Sequence, residues 1–207
     1  MLRIDHVIMA VADPDAAARR ILDEHGLSSV AGGVHPAWGT RNRIVPLGSD
    51  YVELIGIADP ETAVETELGR RVLGLIERGG GLLGWCVGTD QLDWVADRLD
   101  LEVNEGSRVQ PDGQVLRWHS AGLEAMLAEP WKPFFISWKV PDGLHPGQAE
   151  APHRLRPLGI AWVEVSCGIG DLRDWLGGKE LPVRVVDGAP GIHSAGIATQ
   201  GLEVVLL

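Results

Sequence analysis

A short apolar, strand-like segment with a glutamate at its centre occurs twice in this chain. It appears as Tyr51-Val52-Glu53-Leu54-Ile55-Gly56 and again as the closing Gly201-Leu202-Glu203-Val204-Val205-Leu206-Leu207. A carboxylate inside a β run is costly to bury unless a cation or hydrogen-bond donors meet it. About 40 to 50 residues before each glutamate lies another β-like segment followed by a capped helix, so the repeating object is a whole unit.

The first unit begins with Leu2–Val11. Period-two alternation places Ile4, His6, Ile8 and Ala10 on one face and Asp5, Val7, Met9 and Val11 on the other. Asp13-Pro14 supplies an N-cap and a first helical proline, Ala16, Ala17, Ala18, Ile21 and Leu22 continue a helix, and Gly26 can stop it. A loop from Gly32 to Thr40 leads to paired strands Arg43–Leu47 and Tyr51–Ile57, turned by Gly48-Ser49-Asp50.

The order β-α-β-β-β returns twice. In the second unit Leu82–Val87 is a strand, Thr89 or Asp90 a cap and Gln91–Leu99 a helix. Strands follow at Glu102–Val109 and Val115–His119 around a turn at Pro111-Asp112-Gly113, and Phe134–Trp138 closes the unit. The third takes Leu158–Val165, a helix Asp171–Leu176, and strands near Val183–Val186, Gly191–Ala198 and Leu202–Leu207. Residues 1–138 thus hold two modules, 1–58 and 80–138, joined by a connector 59–79 that reads helical from about Glu61 to Arg78. Residues 139–157 read as a polar linker and 158–207 as a third, shorter module. A sheet with one helix on one face cannot bury its other face alone. The expected fold class is therefore α+β, with modules pairing into a half-open β-barrel. Three modules leave one over, to pack on the others or to complete a barrel in a homodimer.

Composition narrows the function. A net charge of −11 and the lack of a basic stripe argue against nucleic acid. Apolar runs are too short and too interrupted for a membrane span. The opening residues enter a strand pattern with no signal-peptide core, and Cys86 and Cys167 sit in apolar contexts without metal-finger spacing; the expectation is a cytoplasmic protein with buried free thiols. There is no GxSxG elbow, P-loop or GxGxxG after a strand, and the glycines at 79–81 follow a helix, the wrong order for cradling phosphate.

Repeated βαβββ modules with His in the first strand and Glu in the last resemble the vicinal oxygen chelate superfamily of glyoxalases, extradiol dioxygenases and bleomycin-resistance proteins. Ile4-Asp5-His6-Val7, His35–Asn42, Tyr51–Ile55 and Pro133–Trp138 more narrowly resemble its glyoxalase-like domain proteins. The resemblance implies that His6 and Glu53 face a divalent metal (Zn, Ni, Mn or Fe) on the concave side of the barrel. An imidazole and a carboxylate on adjacent strands can share a cation and leave positions for substrate oxygens. A metal there polarises a carbonyl or enediolate, and a glutamate can move the proton beside it.

Aligning the third module on the first puts Trp162 opposite His6 and Glu203 opposite Glu53. In the second module the matching positions fall near Leu82 and Ser137, with Glu124 as a rival. The metal set is thus His6, Glu53 and Glu203, with Glu53 and Glu203 as catalytic carboxylates; no alignment yields a second histidine. The loop residues His35, Trp38, Arg41 and Asn42 are expected at the barrel mouth as substrate contacts, arginine offering a bidentate fork. Arg108, Arg117, Trp118 and His119 cluster on expected strands; Arg117 and His119 share one strand face and Trp118 the other, making either an anion-binding wall from Arg117 with His119 or an apolar wall from Trp118. His145 and His153 in the linker read as solvated. Eight tryptophans against one tyrosine and two phenylalanines suit either an indole-lined cavity or an indole-filled core, with Trp85, Trp118, Trp138 and Trp162 on strands.

The expected function is a metal-dependent lyase or isomerase acting on a small carbonyl or enediolate substrate. The alternative is a non-catalytic protein that sequesters small molecules in a tryptophan-lined pocket.

Overall fold

A computed structural model of the protein describes all residues except 110–112, 114 and 142. The turn expected at Pro111-Asp112-Gly113 falls largely on these and lies outside the described residues.

Among the described residues, twelve strands form two sheets. The first module supplies β1 (Arg3–Ala10), helix α1 (Pro14–His25), β2 (Val30–His35), β3 (Thr40–Pro46) and β4 (Tyr51–Ile57). The second supplies β5 (Gly81–Gly88), α4 (Leu92–Leu99), β6 (Val103–Val109), β7 (Val115–Ala121), α5 (Leu123–Ala128) and β8 (Phe134–Trp138). Between them lie α2 (Pro60–Glu65) and α3 (Glu67–Glu77). In place of one connector helix there are two, because Thr66 adopts an extended conformation and its hydroxyl caps α3 at the Gly69 N–H. Asp13 caps α1 through the Asp15 N–H, Pro14 follows, and Gly26 ends the helix at φ 68°.

The eight-stranded sheet has the order β2-β3-β4-β1-β5-β8-β7-β6. Within each module the first strand pairs in parallel with the last, and β1 and β5 join the modules antiparallel. The outermost strands approach each other: the stem of Arg108 on β6 lies against the backbone of Gly33 on β2. The sheet is therefore nearly closed, as the glyoxalase-like α+β barrel requires. Its concave side is part-filled by α3 and α5, with Leu68, Val72, Met126 and Leu127 packed on Ile8, Ile55, Cys86 and Phe134.

The third segment contributes β9 (Pro157–Ser166), α6 (Ile169–Trp175), β10 (Val183–Val185), β11 (Gly191–Thr199) and β12 (Glu203–Leu206). Its element order matches the other modules but its wiring does not. The strand order is β10-β9-β11-β12, so the first strand pairs with the second and third and never meets the last. This sheet covers the convex side of the barrel, where Val163, Val165, Ala195, Ile197, Val204 and Leu206 share a core with Val7, Trp85, Val87 and Phe135. The intervening segment is docked too: the Ser28 N–H donates to His153 Nδ1 at 3.0 Å, and Ser28 Oγ donates to the Pro152 carbonyl at 2.7 Å.

Candidate active site

The centre of the site lies on β1 and depends on an irregularity. Ile4 pairs with Val87 and His6 with Cys86, so Asp5 has no partner of its own on β5. This bulge breaks the alternation. Ile4 turns into the convex core with Val7 and Met9, whereas Asp5 and His6 come together, with Oδ1 of Asp5 2.8 Å from Nδ1 of His6. The strict period-two reading of Leu2–Val11, which separated Asp5 from His6, is corrected at this point.

Asp5 is fully buried. Its Oδ2 lies 3.1 Å from His145 Nε2, and the Trp138 indole N–H reaches both oxygens at 3.2 Å. Burial pushes the carboxyl up, but hydrogen bonds from His145 and His6 outweigh it and hold Asp5 well below the usual carboxylate range. The Gly147 N–H donates to Nδ1 of His145 at 3.1 Å, which leaves Nε2 of that ring to carry the proton given to Asp5. His145 is therefore a buried anchor rather than a solvated linker residue.

An ionised Asp5 can only accept, so a neutral His6 carries its proton on Nδ1 and turns a bare Nε2 away from Asp5. That nitrogen lies 3.9 Å from Oε2 of Glu53. The ring is clamped by Tyr51, stacked at 4.4 Å and 17°, and by the edge of Phe134 at 5.5 Å. Glu53 stands on β4 and pairs with Ile8. Its Oε1 accepts from Asn42 Nδ2 at 2.5 Å, and Asn42 Oδ1 accepts from the Gly33 N–H at 2.7 Å, which fixes the orientation of the amide. Two proton acceptors, each oriented from behind, thus face each other across a short gap.

The gap opens into a small cavity of about 80 Å³. His6, Tyr51, Glu53 and Asn42 form one wall, Arg108 and Ser120 add polar groups, and Trp38, Trp118 and Trp138 supply indole faces. A larger cleft of about 760 Å³ adjoins it and shares His35, Trp38, Trp118, Ser120 and Leu123. His35 at the junction bonds Thr40 Oγ1 through Nδ1 at 3.0 Å. Burial pushes its imidazole down in pKa, against the pull of Glu53, so the ring favours its neutral form.

Of the residues expected at the site, His6, Glu53, His35, Trp38, Asn42 and Trp118 line the cavity. Arg41 does not. It neighbours Asn42 on a strand and points to the opposite face, where it pairs with Asp15 at 2.7 Å and Asp13 at 3.0 Å at the start of α1. Arg117 is exposed on the outer face of β7 and lines neither cavity nor cleft. Glu203 is exposed on the second sheet, beyond the convex core, and accepts from the Trp162 indole at 3.0 Å. It cannot complete a centre with His6. Glu124 belongs to helix α5 and faces the outer cleft. Of the strand tryptophans, Trp118 and Trp138 reach the cavity, whereas Trp85 is buried on the convex side and Trp162 lies on the second sheet. Asp5 and Tyr51 were not expected at the site from sequence, and Arg108 and Trp138 were noted only as strand residues, Trp138 as cavity lining or core; the bulge and the barrel closure bring them in.

The donor set bears on the metal that the resemblance implies. Val7 and Trp85 pair across the module junction, and exchanging the modules about that pair carries His6 onto Gly84 and Ile8 onto Cys86. Glu53, the partner of Ile8, is carried onto Phe134, the partner of Cys86. The second half-site thus falls at Gly84 and Phe134, not near Leu82 and Ser137, and offers no ligand. Met126 fills the space above Gly84. Donor atoms of Asp5, His6 and Cys86 do lie within 4.8 Å of one another. The Asp5 oxygens are engaged with His6, His145 and Trp138, however, and burial pushes the Cys86 thiol well up, toward its protonated form. Two available protein donors, His6 Nε2 and Glu53, do not match a centre that draws ligands from both modules.

A family model described as the glyoxalase-like domain matches residues 4–167. A search of curated proteins found no match. Among solved structures, a hypothetical protein from Staphylococcus aureus superposes with a TM-score of 0.68 at 17% identity, covering 99% of this chain and 84% of that one. Methylmalonyl-CoA epimerase from Mycobacterium tuberculosis superposes at 0.45 with 21% identity, covering 66% of this chain and 86% of its own. A Streptomyces coelicolor methylmalonyl-CoA epimerase in complex with 2-nitronate-propionyl-CoA gives 0.47 at 17% identity, covering 67% and 98%. With most of its length matched by the family model, and with paired βαβββ modules closing the barrel, the chain belongs to the glyoxalase-like domain family.

Proposed function

We propose that this protein is a small-molecule isomerase or lyase that moves a proton at a carbon beside a carbonyl, with His6 and Glu53 as its acid–base pair. The observation that carries this reading is the 3.9 Å approach of two oriented acceptors, His6 Nε2 and Glu53 Oε2, at the wall of a cavity. Glu53, held by Asn42, takes the proton from the carbon acid. His6, backed by Asp5, is the neighbouring group that receives that proton from Glu53 at Nε2 and returns it to a substrate oxygen or carbon.

The spacing also limits the reaction type. Bases that invert a carbon centre attack from opposite sides, each about 3–3.5 Å from the carbon, and so stand roughly 6–7 Å apart. Two groups 3.9 Å apart address the same face of a substrate. That geometry suits a same-face proton shift, or an elimination in which the proton Glu53 takes from carbon passes through His6 Nε2 to the leaving oxygen. The available donors do not fit the implied metal, and His6 and Glu53 carry this proton movement themselves.

Mass-spectrometric deuterium exchange tests the reading. Purified protein in heavy water is expected to exchange protons alpha to the carbonyl of pyruvate and dihydroxyacetone, with Glu53→Gln abolishing exchange. Equal exchange in wild type and variant removes the acid–base pair. A second reading, sequestration, is favoured by the three indoles on the cavity wall. It predicts ligand quenching of tryptophan fluorescence that survives His6→Ala without any exchange chemistry.

A further inference from the structure

One cavity residue has no role in proton transfer. Arg108 on β6 reaches the cavity across Gly33 of β2, so closely that a Cβ on Gly33 would sit 2.5 Å from its Cδ. Its Nε is buried without a hydrogen-bond partner among the described residues. Ion pairs among those residues take in Arg3, Arg41, Arg43 and Arg154, and not Arg108. Buried polar atoms are ordinarily satisfied, and a guanidinium is shaped to grip a carboxylate through paired N–H groups. Among the described residues that line the cavity, Arg108 is the one arginine or lysine, and Glu53 the one carboxylate.

Size and surroundings narrow what it grips. The cavity is small, about 80 Å³, and opens onto the wider cleft, so it takes the reacting end of a small molecule between His6, Glu53 and Arg108. The adjoining cleft is lined by Asp100, Glu102, Glu105 and Glu124 and, among the described residues, by no lysine or arginine. A phosphate-bearing carrier arm leaving the cavity by that route would meet like charge throughout.

We propose that the substrate is a small free carboxylic acid, such as a 2-oxo acid, whose carboxylate docks on Arg108 while its alpha or beta carbon lies over His6 and Glu53. The inference rests on the acid–base reading for its chemistry but not for its binding step. Gly33 serves it twice: its missing side chain lets the Arg108 stem through, and its N–H steadies the amide that holds Glu53.

Tryptophan fluorescence titration with acetate and pyruvate, against acetamide, pyruvamide and coenzyme A, tests the inference. The two carboxylates are expected to quench saturably and to bind at least about tenfold more tightly than their amides, one strong charge-assisted contact being worth that much. Arg108→Gln is expected to remove that preference, with circular dichroism and melting unchanged. Gly33→Ala, which displaces the arginine stem, is expected to weaken the carboxylates in the same direction. Amides binding as well as acids, an unaltered preference in Arg108→Gln, or coenzyme A binding more tightly than pyruvate would each overturn it. Deuterium exchange separates the two proposals. Pyruvate bound through Arg108 but never exchanged removes the acid–base reading and leaves the anchor. Exchange on pyruvate undiminished in Arg108→Gln removes the anchor and leaves the acid–base pair.

Discussion

Nε2 of His145 lies 3.1 Å from Oδ2 of Asp5, tying the segment between the two sheets to the strand that carries His6. With the His6 contact on Oδ1 and the Trp138 indole, one buried carboxylate joins both modules and the linker.

Asp5→Asn places an amide where three donors converge, so at least one contact becomes donor against donor. Breaking such a buried cluster is expected to cost about 3–5 kcal/mol, read as a lower denaturant midpoint. The pH sign follows from the depressed carboxyl. Its contribution is fully present above the unfolded value of ~3.9 and is lost as pH falls through the folded value. Wild type is therefore expected to lose stability in acid more steeply than the variant.

Asp50 behaves in the opposite sense. Burial pushes its carboxyl up to about 6, although the Ile160 N–H and Ser49 hydroxyl hydrogen-bond to it. The folded state then binds more protons than the unfolded chain between about pH 4 and 6, so stability falls as pH rises through that window. Asp50→Asn keeps the acceptor for Ile160 and is expected to stabilise the protein above pH 6 by roughly 2 kcal/mol, with little effect near pH 4. Urea unfolding at the two pH values checks both sign and window.

Glu53→Gln retains an oxygen for the Asn42 amide and is expected to fold as wild type. Loss of the base is expected to lower alpha-proton exchange by about 10²–10⁴-fold. Exchange within a few-fold of wild type would assign the proton transfer to another group.

The donor geometry at His6, Glu53, Gly84 and Phe134 gives an expectation for metal removal. Chelator dialysis is expected to leave the melting temperature and exchange activity unchanged. Loss of either, restored by Zn, Ni, Mn or Fe, would show that an ion uses His6 and Glu53 with ligands from outside the chain.

What the sequence disclosed, and what it hid, has a physical pattern. His6 and Glu53 were legible because a titratable group within an apolar β run needs a partner, and regular strands carry it to a calculable face. Asp5 was hidden because a one-residue bulge reverses the face and leaves no local mark. Arg41 was misplaced although alternation already set it opposite Asn42, its neighbour on the strand. Glu203 misled because the third segment repeats the element order while pairing its strands differently, and pairing is a long-range property. Arg108 and His145 reach the centre through barrel closure and linker docking, which no local pattern records.

The most direct test is the protonation pattern of the His6 ring, read by long-range ¹⁵N–¹H correlation at a pH where the ring is neutral. A proton on Nδ1, held by Asp5, with a bare Nε2 toward Glu53 is the predicted result, and Asp5→Asn should disturb it. A proton on Nε2 in the wild-type protein would contradict the account, since the nitrogen proposed to take over the proton removed by Glu53 would already carry one.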